Sequence, residues 1–166
     1  MAIKNSSNSF TRPSDTTDYA SGDLVANSTT AGSVTAISIG NIGWNSQGSA
    51  ILRKVKLTKS GTSTTNAQFR VHFFKAAPET ITNGDNGAFS VSGVADYIGA
   101  FAVTIDRAFT DGAAGFGVPL VGSELLIRLA GSSAQKIYAL IEARAAYTPS
   151  SAEVFTLYVE CMDENG

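Results

Sequence analysis

His72 is the single histidine of the chain, and a general base is the first chemistry it could supply. No nucleophile and no orienting acid stand beside it in sequence, and a histidine-built metal centre usually needs two or three such residues. Glu79, Asp85, Asp96, Asp106, Asp111, Glu124 and Glu142 are the carboxylates from which a polysaccharide hydrolase would draw its pair, yet no pairing is visible in their order. Asn83, Gly84, Asp85, Asn86 and Gly87 cluster oxygens as a calcium loop does, but without the ligand spacing or distant glutamate of an EF-hand. Asn-Gly is also a favoured two-residue hairpin turn, and the turn is the preferred reading. Gly112, Gly115 and Gly117 lack the Lys-Ser or Lys-Thr pair and the following helix of a phosphate cradle. These residues predict no catalytic apparatus, no cofactor and no metal, and the chain is expected not to be an enzyme.

Aromatic side chains offer a different chemistry, stacking against sugars or proteins. Trp44, Tyr97, Tyr138, Tyr147 and Tyr158 are available for it. Trp44, in GNIGWNSQG, reads as loop-borne, either a plug on the end of the core or an exposed contact residue.

The elements that must position these groups read as strands. Phe69, Val71 and Phe73 alternate with Arg70, His72 and Phe74, the period of a half-buried strand. Short apolar segments recur between turn signals at 19–26, 33–39, 50–58, 67–75, 89–92, 100–106, 123–129, 136–147 and 154–161, the spacing of a sandwich or barrel. In LRKVKLTK, Leu52, Val55 and Leu57 oppose Arg53, Lys54 and Lys56, with a slip at Arg53 and Lys54 that marks a bulge; the basic face is either solvated or turned to an acidic neighbour. KIYALIEARAAY has helical propensity but places Ile137, Ala139, Ile141, Ala143 and Ala145 on one strand face, and residues 131–135 before it read as a hairpin loop. Residues 106–122 read as a flexible glycine loop whose Phe109, Phe116 and Pro119 tuck against the rim, and 94–98 allows a helical insertion. The expected core is Val55, Leu57, Phe69, Val71, Phe73, Phe101, Val103, Leu126, Ile137, Ile141, Phe155, Leu157 and Val159.

The whole is expected to be one all-β, antiparallel β-sandwich domain over 19–166, behind an extended N-terminal arm over 1–18. The arm is Ser-, Asn- and Thr-rich, with too little apolar surface to offset its own ordering. It is either a frayed end or a segment ordered against a neighbouring subunit, with Phe10 as anchor and Pro13 as stiffener. With 16% charged residues and a net charge of −2, the 166-residue chain lacks the electrostatic footprint of a nucleic-acid binder. It shows no secretory signal and no membrane-spanning apolar run, so synthesis in a cytoplasm is expected. Cys161 alone permits neither an intrachain disulfide nor a cysteine metal cluster.

Two passages carry a resemblance. One is FTRPSDTTDYASGDLVANS, with Thr11, Arg12, Pro13, Asp15, Thr16, Thr17, Tyr19, Gly22 and Asp23. The other is FRVHFFKAAPETITNGDNGAFSVSGVADYIGAF, with His72, Phe73, Phe74, Ala77 and Pro78. Over roughly residues 10–159 the chain resembles tailed-bacteriophage virion proteins of jelly-roll type, the auxiliary, decoration or cement proteins of capsids. The loop at 83–87 has no counterpart in that resemblance. The resemblance implies a structural virion protein on the capsid surface, made in the host cytoplasm, that binds the major capsid protein and ties neighbouring subunits together. It also implies a homo-oligomer, a trimer ahead of a dimer, with no nucleic acid and no membrane as partner. Phe10, Arg12, Pro13, Tyr19 and Trp44 are the residues placed at a capsid or subunit interface. The alternative of the same fold class is a tail or head-fibre carbohydrate-binding module that recognises its host through Trp44 and the tyrosines.

Overall fold

The computed structural model describes residues 2–43, 49–120, 125–128 and 135–163. Eleven strands lie among them: β1 (Ala2–Thr11), β2 (Leu24–Val25), β3 (Ile37–Ile39), β4 (Ser49–Lys59), β5 (Gln68–Phe74), β6 (Tyr97–Thr104), β7 (Arg107–Phe109), β8 (Gly112–Pro119), β9 (Leu125–Arg128), β10 (Ile137–Ala143) and β11 (Val154–Asp163). Single 3₁₀ turns occupy Ala31–Ser33 and Val94–Asp96, the second where a helical insertion was allowed. Every strand pairing is antiparallel, in the order β1-β11-β4-β8-β6-β5-β10-β2, with β3 on β10, β7 on β8 and β9 on β4. The sheet curls on itself into a jelly-roll-like β-sandwich, and its two ends meet where Asn8 Nδ2 donates to the Ser38 carbonyl at 2.8 Å and Lys4 Nζ to that of Gly43 at 2.6 Å.

The core follows the period-two pattern. Phe69, Val71 and Phe73 of β5 interleave with Val55 and Leu57 of β4, Phe101 and Val103 of β6, Ile137 and Ile141 of β10, and Phe155, Leu157 and Val159 of β11, all buried. Leu126 departs from the expected set: it is 49% exposed, while Leu125 and Ile127 on either side are buried. Leu-Leu-Ile is apolar throughout, so that run gives no alternation from which to read a phase. The slip at Arg53 is real, since Glu160 faces Lys54 while Cys161 faces Leu52 and Arg53 bulges out between them. IYALIEA is the strand β10, and it reads as almost continuously apolar because both its faces are covered. A second cluster of Leu24, Ala26, Ala36, Phe74 and Leu140, with Ile81, Phe89 and Val91 packed on it, closes over its outer side. The hairpin loop expected at 131–135 lies, but for Gln135, outside the described residues.

Two expectations are corrected. Ala2–Thr11, placed in an arm over 1–18, is an edge strand paired with β11 along its whole length, from Ala2 opposite Asp163 to Thr11 opposite Val154. Its polar composition suits an edge that is solvated on one side, and its order comes from backbone hydrogen bonds to its own chain. Residues 107–119, read as a loop, form the β7–β8 hairpin. Its glycines are demanded by space: a Cβ at Gly115 would run into the Thr104 carbonyl, one at Gly112 into that of Lys59, and one at Gly117 would sit 2.9 Å from Val103 Cγ2. Phe109 and Phe116 point outward, 55% and 58% exposed, rather than tucking against the rim.

Candidate functional site

Three arrangements of polar or exposed groups stand out once the strands are in place. The first is buried. Arg12 leaves the end of β1 and turns inward, 2% exposed. Its Nε donates to Tyr19 Oη at 2.9 Å, its Nη2 to Asp85 Oδ2 at 2.9 Å and Asp15 Oδ1 at 3.0 Å, and its Nη1 to the Asp15 carbonyl at 2.6 Å. Tyr19 in turn donates its hydroxyl to Asp85 Oδ1 at 2.7 Å, which also accepts the Ala26 amide at 2.7 Å. Burial opposes the guanidinium charge, yet Tyr19 and the two acids hold its pKa above the ordinary value; burial raises that of Asp85 against the bonds it accepts. Tyr19 stacks at 6.3 Å on Tyr147, whose hydroxyl donates to Glu153, and Glu153 pairs with Lys59 Nζ at 3.1 Å, both wholly buried. Gly61 is there because a Cβ would collide with the Glu153 carboxylate.

This network corrects the interface assignment for Arg12 and Tyr19. Arg12 and Tyr19 face the interior of their own chain, and Phe10 stacks on Phe155 of β11 at 5.7 Å. Pro13 is half-buried, with its carbonyl accepting the Asp15 and Ala152 amides, and Trp44 lies outside the described residues. The turn at 83–87 is also different from the expected Asn-Gly hairpin. Gly84 and Gly87 bracket Asp85 and Asn86, the positive φ of 64° falls on Asn86, and the turn delivers Asp85 to Arg12. Gly84 is fixed by the Thr29 backbone, against which a Cβ would collide.

The second arrangement surrounds His72. The fold brings Glu142 of β10 and Tyr97 at the start of β6 to its two ring nitrogens: Nε2 lies 2.9 Å from Glu142 Oε2 and Nδ1 3.1 Å from Tyr97 Oη. Phe89 stacks on the imidazole at 4.5 Å, Arg144 donates to Glu142 at 2.8 Å and Arg70 lies 3.8 Å from it. Burial lowers the His72 pKa, outweighing Glu142, so the ring is neutral at neutral pH; with Nε2–H donating to Glu142, Nδ1 accepts the Tyr97 hydroxyl. A hydroxyl, an imidazole and a carboxylate in line form a proton relay in outline, but burial raises the Tyr97 pKa and keeps its hydroxyl protonated. Glu142 lies 70 residues from His72, so no sequence spacing announces the contact. Of the other carboxylates considered in sequence, Glu124 lies outside the described residues. No three His, Cys, Asp or Glu side chains converge among the described residues. Cys161 is buried beside Glu160, and burial foremost pushes its thiol up to about 12.

The third arrangement is exposed and lies on the outer face of β4, β8, β9 and β11. β8 pairs with β4 at Val55–Lys59 and β9 with β4 at Ser49–Leu52, so β8 and β9 occupy one lane between β4 and β6. Val118, Leu120 and Leu126 lie along that lane, 65%, 45% and 49% exposed. Beside them Lys54 and Lys56 of β4 lie over the rings of Phe116 and Tyr158.

No family model matches the chain, and no curated protein matches it. Among solved structures, the cleaved adhesin domain of Lys-gingipain from Porphyromonas gingivalis is similar at 12% identity over 96% of this chain and 98% of that one. Its TM-score is 0.29, and the likeness carries no argument.

Proposed function

We propose that this chain is a structural protein of a tailed-bacteriophage virion, a decoration or cement protein that binds the outer capsid shell and stabilises contacts between major capsid subunits. The reading starts from the resemblance of residues 10–28 and 69–101, and one observation supports it: the apolar lane of Val118, Leu120 and Leu126 on the outer face of the sandwich. Large aliphatic side chains held in water along one lane are the mark of a surface that another protein covers. Docking through such a lane draws on burial of apolar area at roughly 25 cal/mol per Å², and a homo-oligomer, a trimer ahead of a dimer, multiplies it through effective concentration.

The test is the number of copies per purified virion, measured by quantitative mass spectrometry against the major capsid protein. A count comparable to the major capsid protein is expected. A handful of copies moves the chain to the tail or a fibre, and absence overturns the reading. Binding of the Val118→Asp, Leu126→Asp double variant to expanded shells is expected to fall at least tenfold, about 1.4 kcal/mol or more. The second reading, a tail or head-fibre carbohydrate-binding module, draws support from the exposed rings of Phe116 and Tyr158 and the Lys54 and Lys56 ammonium groups over them.

A further inference from the structure

Two register rows cross the outer face of neighbouring strands, the first over four of them and the second over three. Ser7 of β1, Tyr158 of β11, Lys56 of β4 and Phe116 of β8 stand side by side in one; Asn5, Glu160 and Lys54 stand in the next. At about 4.8 Å between strands, the first row spans roughly 14 Å. Together they floor a groove of about 620 Å³, within the size range of small-ligand sites. Lys56 Nζ lies 3.9 Å from the centre of the Tyr158 ring and Lys54 Nζ 4.5 Å from that of Phe116, so both ammonium groups are held at the groove floor.

We infer that this groove is a binding site for an anionic oligosaccharide. Four features select that class. β11 lies between β1 and β4, and β4 between β11 and β8, so their backbone groups are engaged by neighbours and a peptide cannot be added there as a strand. Recognition must come from side chains. Two lysines against one glutamate leave the rows with one net positive charge, which draws a negative ligand. Glu160 within the same rows is an acceptor, and it suits a ligand that brings hydroxyl donors along with its charge, as a sugar acid does. Ser7, the register neighbour of Tyr158 on the side away from Lys56, is too small to cover that ring, which leaves apolar surface for the C–H face of a pyranose. The site does not rest on the capsid reading, which is carried by Val118, Leu120 and Leu126.

Calorimetric titration of the intact chain at low salt tests the inference with five probes: tetragalacturonate, a heparin-derived tetrasaccharide, maltotetraose, tetraglutamate and inorganic sulfate. Saturable binding of at least one of the two anionic sugars, at one site per chain, is expected, and which of them binds separates carboxylate from sulfate recognition. Tyr158→Ala is expected to weaken it about tenfold and Lys56→Gln by a similar factor. Lys75→Gln, which removes an exposed lysine just beyond β5, is expected to leave it unchanged. Equal affinity for tetraglutamate or sulfate overturns the carbohydrate assignment, and equal affinity for maltotetraose overturns the role of charge. No saturable binding of either anionic sugar, or an unaltered Tyr158→Ala variant, overturns the site. Should a variant unfold, amide shifts of the wild-type chain during titration decide. Shifts centred on Lys54, Lys56, Phe116 and Tyr158 uphold the site, and shifts centred elsewhere overturn it.

Discussion

Asp85 is held by an arginine, a tyrosine hydroxyl and a backbone amide, so truncating it leaves a guanidinium buried with part of its charge unanswered. Asp85→Ala is expected to cost roughly 3 to 5 kcal/mol in urea denaturation, the usual penalty for breaking a buried pair. The His72–Glu142 pair predicts acid lability. Burial lowers the folded pKa of His72. Burial raises that of Glu142, but bonds from His72 and Arg144 outweigh it and leave it lowered. With both folded values below the unfolded ones, the unfolded chain binds the proton first, so stability is present above pH 6.5 and 4.5 respectively and is lost as pH falls. Urea midpoints are expected to decline from pH 7 to pH 4, and His72→Gln to flatten the upper part of that decline; midpoints rising on acidification would contradict the assignment. The chemistry of these residues was legible in sequence, but their partners were not. Arg12 and Asp85 read as an interface anchor and a turn residue, because nothing local joins positions 73 residues apart.

At the scale of elements, strict alternation made β5 legible, whereas β8 and the phase of β9 were misread. β5 shows its phase through Phe69, Val71 and Phe73, whereas β9 hides its own in three consecutive apolar residues. The observed phase predicts that Leu125→Ala costs about 2 to 5 kcal/mol, as buried leucines do. Leu126→Ala should stay within about 0.5 kcal/mol of wild type, as exposed positions do. Thermal melts of the two variants that reversed this order would put β9 the other way round. β8 was misread because glycine is ambiguous in sequence: it marks a flexible loop or a close backbone approach, and only the carbonyls of Lys59 and Thr104 decide between them.

For the molecule as a whole, the seam between β1 and β3 is the weak line of the sandwich. Elsewhere neighbouring strands share backbone ladders; here the sheet ends meet through side chains, Asn8 to Ser38 and Lys4 to Gly43. Amide hydrogen exchange is expected to be fastest in β1 and β3 and slowest in β4, β5 and β11, the first opening along the seam and the second only with global unfolding. Uniform protection around the sheet would mean the seam is no weaker than the ladders. The sandwich class was legible from strand spacing, but the position of residues 2–11 in it was not, since composition describes a segment and its partner lies at the other end of the sheet.

That pairing has a consequence for the order in which the molecule is made. β1 leaves the ribosome before its ladder partner, residues 154–163, which is synthesised about 150 residues later. At roughly 5 to 20 residues per second, the strand waits on the order of ten seconds with its backbone groups unmatched. A strand of Val and Ile would spend that interval recruiting neighbouring nascent chains. Lys4, Asn5, Ser6, Ser7, Asn8 and Ser9 give it nothing to recruit with, so the polar composition that hides β1 in the sequence is also what keeps it available until β11 arrives.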